Sequence, residues 1–274
     1  MNKMKKSLLA IALATLAGPV LADTAAPAAP APSYTLTANV DLSSQYIYRG
    51  LTQTNGNPAI QGGADLTMAN GFYLGTWGSN ISWFSDANPA PASSLSMEWD
   101  LYGGYAQTIG DYGYNVGVLQ YYYDGSYGNL YSATSGTVNP NTTEIYALVS
   151  YKTLSFKVSD VVSTGLFGVA DASGSYYADL SWNPALTDTL TLNTHVGEQK
   201  YTGTSAFGKP SNDSLYSYTD YKLGITADLS KELGTGWSGT AYYTYANTSG
   251  IGFTNSMTSN IGGSRTTVAI ARTF

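Results

Sequence analysis

The sequence predicts an all-β chain closed into an antiparallel transmembrane β-barrel of about twelve strands, with short periplasmic turns and long extracellular loops. Three observations carry that expectation. Apolar residues recur at every second position in many segments, and the connections between these segments alternate between short and long. Only 11% of the 274 residues are charged while 13% are aromatic, whereas a soluble domain normally has about a quarter charged residues. After the first two dozen positions no apolar run approaches the roughly 20 residues that a helix needs to cross a bilayer, so a crossing falls to strands.

The N-terminus reads as export machinery. Lys3, Lys5 and Lys6, the apolar stretch Leu8 to Leu16, and Val20, Leu21 and Ala22 ahead of Asp23 follow the order of a signal peptide, residues 1–22, cleaved after Ala22. Removing the three leader lysines leaves nine basic against eighteen acidic residues, a net charge of −9. So few cations exclude a nucleic-acid partner, which needs basic surface against phosphate. Residues 23–33 form an extended linker in which Ala25 to Pro32 alternates Ala and Pro. Residues 34–274 are then the barrel, and its expected location is the bacterial outer membrane.

The alternation is clearest from Leu36, where Leu36, Ala38, Val40, Leu42, Ser44, Tyr46 and Tyr48 face Thr37, Asn39, Asp41, Ser43, Gln45, Ile47 and Arg49 across the chain. A greasy face against a wet one at period two is a strand between lipid and a polar lumen. The pattern places strands near 34–49, 58–68, 72–83, 95–106, 114–123, 142–152, 155–162, 174–183, 189–198, 217–229, 237–246 and 264–274. Connections at Ala69 to Gly71, Gln107 to Gly113, Thr153 to Leu154, Pro184 to Asp188 and Ser230 to Gly236 are short. Those beginning at Gly50, Phe84, Asp124, Ser163, Gln199 and Asn247 are long, rich in Ser, Thr, Asn and Gly in Ser132 to Thr143 and Thr248 to Asn260. No segment of the mature chain supports a helix. Aromatics crowd the strand ends, where their rings settle at the membrane interfaces, and Tyr121, Tyr122 and Tyr123 are expected in the outer belt. Phe274 ends an alternating stretch as the aromatic signal by which barrel assembly machinery recognises such chains.

Several motifs resemble the TorF family of outer-membrane porins. They are Ser44-Gln45-Tyr46, Arg49-Gly50-Leu51-Thr52-Gln53-Thr54 and Pro58-Ala59-Ile60-Gln61-Gly62-Gly63-Ala64-Asp65, then Gly71-Phe72-Tyr73-Leu74-Gly75-Thr76-Trp77-Gly78-Ser79-Asn80 and Glu98-Trp99-Asp100-Leu101-Tyr102-Gly103-Gly104-Tyr105. The match is dense over residues 44–105 and thin beyond. It implies a protein of porin type and carries no substrate with it.

No motif points to an enzyme. The chain has one histidine, His195, without a Ser two positions away, and no cysteine, so the usual pairs that activate a nucleophile are missing. His195 falls on the inner face with a structural, hydrogen-bonded role. No metal and no cofactor is expected, and Gly62-Gly63 and Gly103-Gly104 lack the strand-to-helix setting of a phosphate loop. The expected function is passive or weakly selective passage of small polar solutes or ions, with outer-membrane lipid as the surrounding partner. A closed structural or adhesive barrel acting through its outer loops is the alternative. Parity makes Arg49, Gln61, Glu98, Asp100, Asp41, Asp65 and Lys222 lumen residues, joined by Asn80 if Tyr73, Trp77 and Ile81 face lipid. Acids outnumber bases on that face, which predicts a preference for cations, centred on Glu98 and Asp100.

Overall fold

The computed structural model describes residues 33–87, 95–125, 137–205, 211–248, 251–255 and 259–274. The leader, all but the last residue of the linker, and parts of the Ser132 to Thr143 and Thr248 to Asn260 segments lie outside them. In chain order the strands are β1 (Tyr34–Ser43), β2 (Ile47–Tyr48), β3 (Leu51–Thr52), β4 (Ala59–Met68), β5 (Phe72–Asn80), β6 (Met97–Ile109), β7 (Tyr112–Tyr123), β8 (Thr142–Tyr151), β9 (Leu154–Val161), β10 (Tyr176–Trp182), β11 (Leu190–Lys200), β12 (Tyr218–Asp228), β13 (Trp237–Ala246) and β14 (Gly263–Thr273). Twelve of them form one closed antiparallel barrel in the order β1-β14-β13-β12-β11-β10-β9-β8-β7-β6-β5-β4, and β2 pairs only with β3. Closure removes the open sheet edges that hydrocarbon cannot satisfy.

The two faces of each strand differ as the alternation requires. Leu36, Leu42, Ile60, Leu74, Leu101, Val118, Leu223 and Val268 are exposed on the outside, an apolar band too large for water and suited to lipid. Two aromatic rows border it. At the short-turn end stand Tyr34, Phe72, Tyr112, Tyr151, Trp182 and Phe274, and toward the loop end stand Trp99, Tyr122, Tyr221, Tyr243 and Tyr245, all outward and exposed. Rings at the short-turn end touch one another, Phe72 with Tyr105 at 5.1 Å and Tyr112 with Tyr151 at 4.9 Å.

Closure runs through β1 and β14, whose register extends from Asn39 opposite Thr273 to Ser43 opposite Ala269. Its last rung belongs to the terminal residue, because the Phe274 amide donates to the Ala38 carbonyl at 2.8 Å. Deleting Phe274 is therefore expected to lower the yield of heat-modifiable barrel in the membrane, read as the shift between boiled and unboiled protein on a gel. A normal yield would break this link.

Several local features depart from the sequence reading. The segment read as one strand over 34–49 stops at Ser43, and the chain from Ser44 turns into the barrel. β5 ends at Asn80 and has the opposite facing: Phe72 and Leu74 meet lipid, while Ser79 is buried on the inside. The connection read as Gln107 to Gly113 shrinks to Gly110 and Asp111, so β6 and β7 are longer than expected. Short helices occur after all, α1 (Trp83–Ala87), α2 (Asn212–Tyr216) and α3 (Ser230–Leu233), each a single turn in a connection. A single turn leaves no helical periodicity to read.

Candidate functional site

Residues 44–58 cross the upper half of the lumen. Ser43 Oγ donates to the Gln45 carbonyl at 2.8 Å and Gln45 Nε2 to the Thr266 carbonyl at 2.9 Å, which turns the chain off the wall. Tyr46 then reaches β6, its hydroxyl donating to Glu98 Oε1 at 2.7 Å. Tyr48 and Tyr121 hydroxyls meet at 2.5 Å. At the tip, Arg49 donates from Nη2 to Glu144 on β8 and from Nη1 to Gln199 on β11, both at 2.7 Å. Its guanidinium also lies over the Tyr48 and Tyr177 rings, 4.9 Å and 4.3 Å from their centres. Planar guanidinium suits this combination of stacking and hydrogen bonding in a way that an ammonium does not.

The tip demands unusual backbone. Arg49 has φ of 46° and Gly50 of 76°, and a Cβ on Gly50 would sit 2.6 Å from the Asp220 Cβ on β12. Only glycine fits there without pushing the wall back. Since β6 and β12 stand six strands apart in a ring of twelve, the segment bridges opposite walls. Other loops pack on it from outside: Phe167 meets Tyr48 and Tyr121 edge-on at 5.7 Å and 5.1 Å, and the Ser82 amide donates to the Gln53 carbonyl at 2.9 Å.

Beneath this plug lies a chamber of about 520 Å³ in mid-barrel. Lys157, Asp179, His195 and Lys222 line one wall, with Asn193, Ser159, Thr226, Thr240, Thr244 and Tyr242 among their neighbours. His195 is clamped between carboxylates, Nδ1 at 2.7 Å from Asp179 and Nε2 at 2.8 Å from Asp220. Asp220 also accepts from the Tyr177 hydroxyl at 2.8 Å, so the ring that carries Arg49 is tied to the same group.

The residues expected in the lumen divide accordingly. Arg49 forms the tip of the plug and Lys222 lines the chamber. Glu98 is only 2% exposed, its second oxygen accepting from Tyr123 at 2.7 Å, and Asp100 beside it is buried as well. Both sit behind the plug. Asp65 is buried against the Tyr102 hydroxyl at 2.6 Å, while Asp41 and Gln61 are half-buried on the inner face of β1 and β4. Asn80 is not a lumen residue: its side chain accepts from the Ile60 amide and donates to the Pro58 carbonyl, sealing the end of β4. The expectation fails because Tyr73 and Trp77 point inward, Tyr73 donating to Asn115 at 2.7 Å and meeting the Tyr146 hydroxyl, and Trp77 packing on Tyr46 at 5.3 Å. Tyr121 and Tyr123 likewise lie inside, and only Tyr122 joins the outer row.

A closed twelve-stranded antiparallel barrel with an apolar exterior, two aromatic rows and a polar chamber has the fold of outer-membrane porins. The chain belongs to the family described as "Bacterial protein of unknown function (Gcw_chp)", whose model matches residues 27–274. A solved structure described as "KdgM porin" is similar at 10% identity and a TM-score of 0.50, covering 87% of this chain and 99% of that one. The COG4313 outer membrane channel from Pseudomonas putida F1 has 10% identity, a TM-score of 0.48 and coverage of 89% and 97%. The NanC porin has 12% identity, a TM-score of 0.47 and coverage of 88% and 99%. No curated protein matches by sequence.

Proposed function

We propose that this chain is an outer-membrane channel of porin type, passing small polar solutes or ions passively or with weak selectivity, and that it is not an enzyme. The observation that carries the reading is the chamber in mid-barrel, lined by hydroxyl, amide and charged groups. A barrel serving only as an anchor has no use for a wet interior of that volume. Eight strands enclose just enough space for side chains and sixteen enclose an open bore, so twelve leave a narrow path that an inserted segment can regulate. The proposal includes export through a leader at 1–22 and recognition of Phe274 by assembly machinery, and the motifs that resemble the TorF family support it.

The cation preference takes a conditional form. With the plug seated, Glu98, Asp100 and Glu144 are covered, and the chamber presents Lys157 and Lys222 instead. With it withdrawn, three acids return to the upper wall and favour cations. A second reading, a closed barrel acting through its outer loops, is favoured by the plug itself. Swelling of liposomes containing the purified mature chain separates the two. Solute-dependent swelling that falls with solute size is the expected result, and no swelling for any solute would leave only the closed barrel.

A further inference from the structure

The chamber wall has a peculiar charge arrangement. Arg49, Lys157 and Lys222 stand against Glu144, Asp179 and Asp220, so the sector is balanced before His195 is counted, yet the pairs are not shared evenly. Glu144 is taken by Arg49 at 2.7 Å and accepts further from Tyr121. Asp179 is taken through one oxygen by His195 and through the other by Ser181 at 2.5 Å. Asp220 is taken by His195 and Tyr177. All three acids are thus turned toward His195 or the plug.

Lys157 and Lys222 are left facing the chamber. Neither forms an ion pair among the described residues, although Asp179 lies directly across the strands from Lys157 and His195 directly across from Lys222. Each stands over an aromatic ring: the Lys157 ammonium lies 4.3 Å from the Tyr146 ring centre and that of Lys222 5.9 Å from the Tyr242 ring centre. A ring face offers partial compensation to a cation but accepts no hydrogen bond of full strength. Each ammonium has three donors to satisfy, and both open into the same space.

We propose that this chamber binds a small organic carboxylate, held between the ammonium groups of Lys157 and Lys222. A carboxylate has two oxygens to accept from two such groups, and charge-assisted hydrogen bonds are the strong ones. Asn193, Ser159, Thr226 and Thr240 supply amide and hydroxyl groups for the polar remainder of the molecule. His195 faces a carboxylate from each ring nitrogen, so both nitrogens carry a proton and the otherwise neutral sector holds one positive charge, which one negative charge on a ligand balances, while Asp179 in the same wall opposes a second. The ligand class is therefore a singly charged, hydroxylated acid small enough for about 520 Å³. Tyr48, Arg49 and Gly50 roof the same space, so the occupant lies directly beneath the plug. The assignment deepens the channel reading and rests on the same chamber.

The test is titration calorimetry on the purified mature protein in detergent at low ionic strength, with lactate as the probe and glycerol as the neutral control of similar size. Saturable binding of lactate without binding of glycerol is expected. Lys157→Gln and Lys222→Gln should each weaken it about tenfold, the worth of one hydrogen bond to a charged group. Lys157→Arg and Lys222→Arg keep the charge and should retain binding, which guards against a variant that merely fails to fold. No saturable lactate binding, equal binding of glycerol, or undiminished affinity in a folded Lys157→Gln, Lys222→Gln double variant would each overturn the assignment. Swelling with neutral solutes is scored separately: its loss sinks the channel reading, whereas its persistence without lactate binding sinks only this one.

Discussion

Replacing residues 45–57 with a short glycine-serine turn is expected to raise single-channel conductance several-fold and to make the current cation-selective. The segment occupies the upper bore through contacts on four walls: Tyr46 on β6, Tyr48 on β7, and Arg49 on β8 and β11. Removing it opens that cross-section and uncovers Glu98, Asp100 and Glu144, while the order of the twelve-strand ring is kept because β2 and β3 form a separate two-stranded sheet and contribute no strand to it. Arg49→Ala tests the same latch more gently. The Arg49 and Glu144 side chains are 7% and 1% exposed, and removing one partner of so buried a pair costs about 3–5 kcal/mol. That cost falls on the seated plug, so longer and more frequent openings should appear in single-channel records, with the full-conductance level approaching that of the deletion. Reversal potentials across a salt gradient supply the sign. Unchanged conductance in the deletion would mean that the segment is not what limits passage, and anion selectivity would mean that Lys157 and Lys222 dominate even an open bore.

The barrel was legible in the sequence because lipid and lumen impose opposite demands on alternate residues. Leu223 beside Lys222, or Leu101 between Asp100 and Tyr102, has one sensible facing. β5 was not legible for the same reason turned around: Gly75, Thr76, Gly78 and Ser79 carry little contrast, so Tyr73 and Trp77 decided the facing alone. Tyrosine fits either side, since its ring suits lipid and its hydroxyl suits an interior partner such as Asn115. The plug was hidden by the same ambivalence. Tyr46 and Tyr48 prolonged the alternation of β1 past the point where the chain leaves the wall. One signal was there: a strand over 34–49 exceeds the roughly 9–11 residues that cross a membrane in a barrel, and the Arg49-Gly50 pair marks where the excess turns. Parity brings His195 and Lys222 to the inner face, but it does not show which acids surround them. Which acid would take which base depends on cross-strand register, and period-two reading carries no register.

Leu223→Arg is expected to destabilise the barrel in lipid by about 2–4 kcal/mol, the cost of a cation on the lipid face near the bilayer midplane. Leu223 is the sixth of eleven residues in β12 and is 59% exposed on the outer face. Its cross-strand neighbours are Thr194 and Tyr243, neither of which offers a carboxylate. The adjacent Lys222 places a natural cation at almost the same depth, but on the chamber side, so depth alone is not what forbids the charge. Thr240→Arg supplies the control. Thr240 lines the chamber and shares a hydroxyl contact with Thr226 at 3.0 Å, so its replacement forfeits about 1 kcal/mol of hydrogen bonding while the new guanidinium stays in water. Urea titration of both variants folded into vesicles, followed by heat-modifiability, measures the difference. Equal midpoints for Leu223→Arg and Thr240→Arg would contradict the assignment of outer and inner faces on the paired strands β12 and β13, and with it the chamber that depends on Lys222 pointing inward.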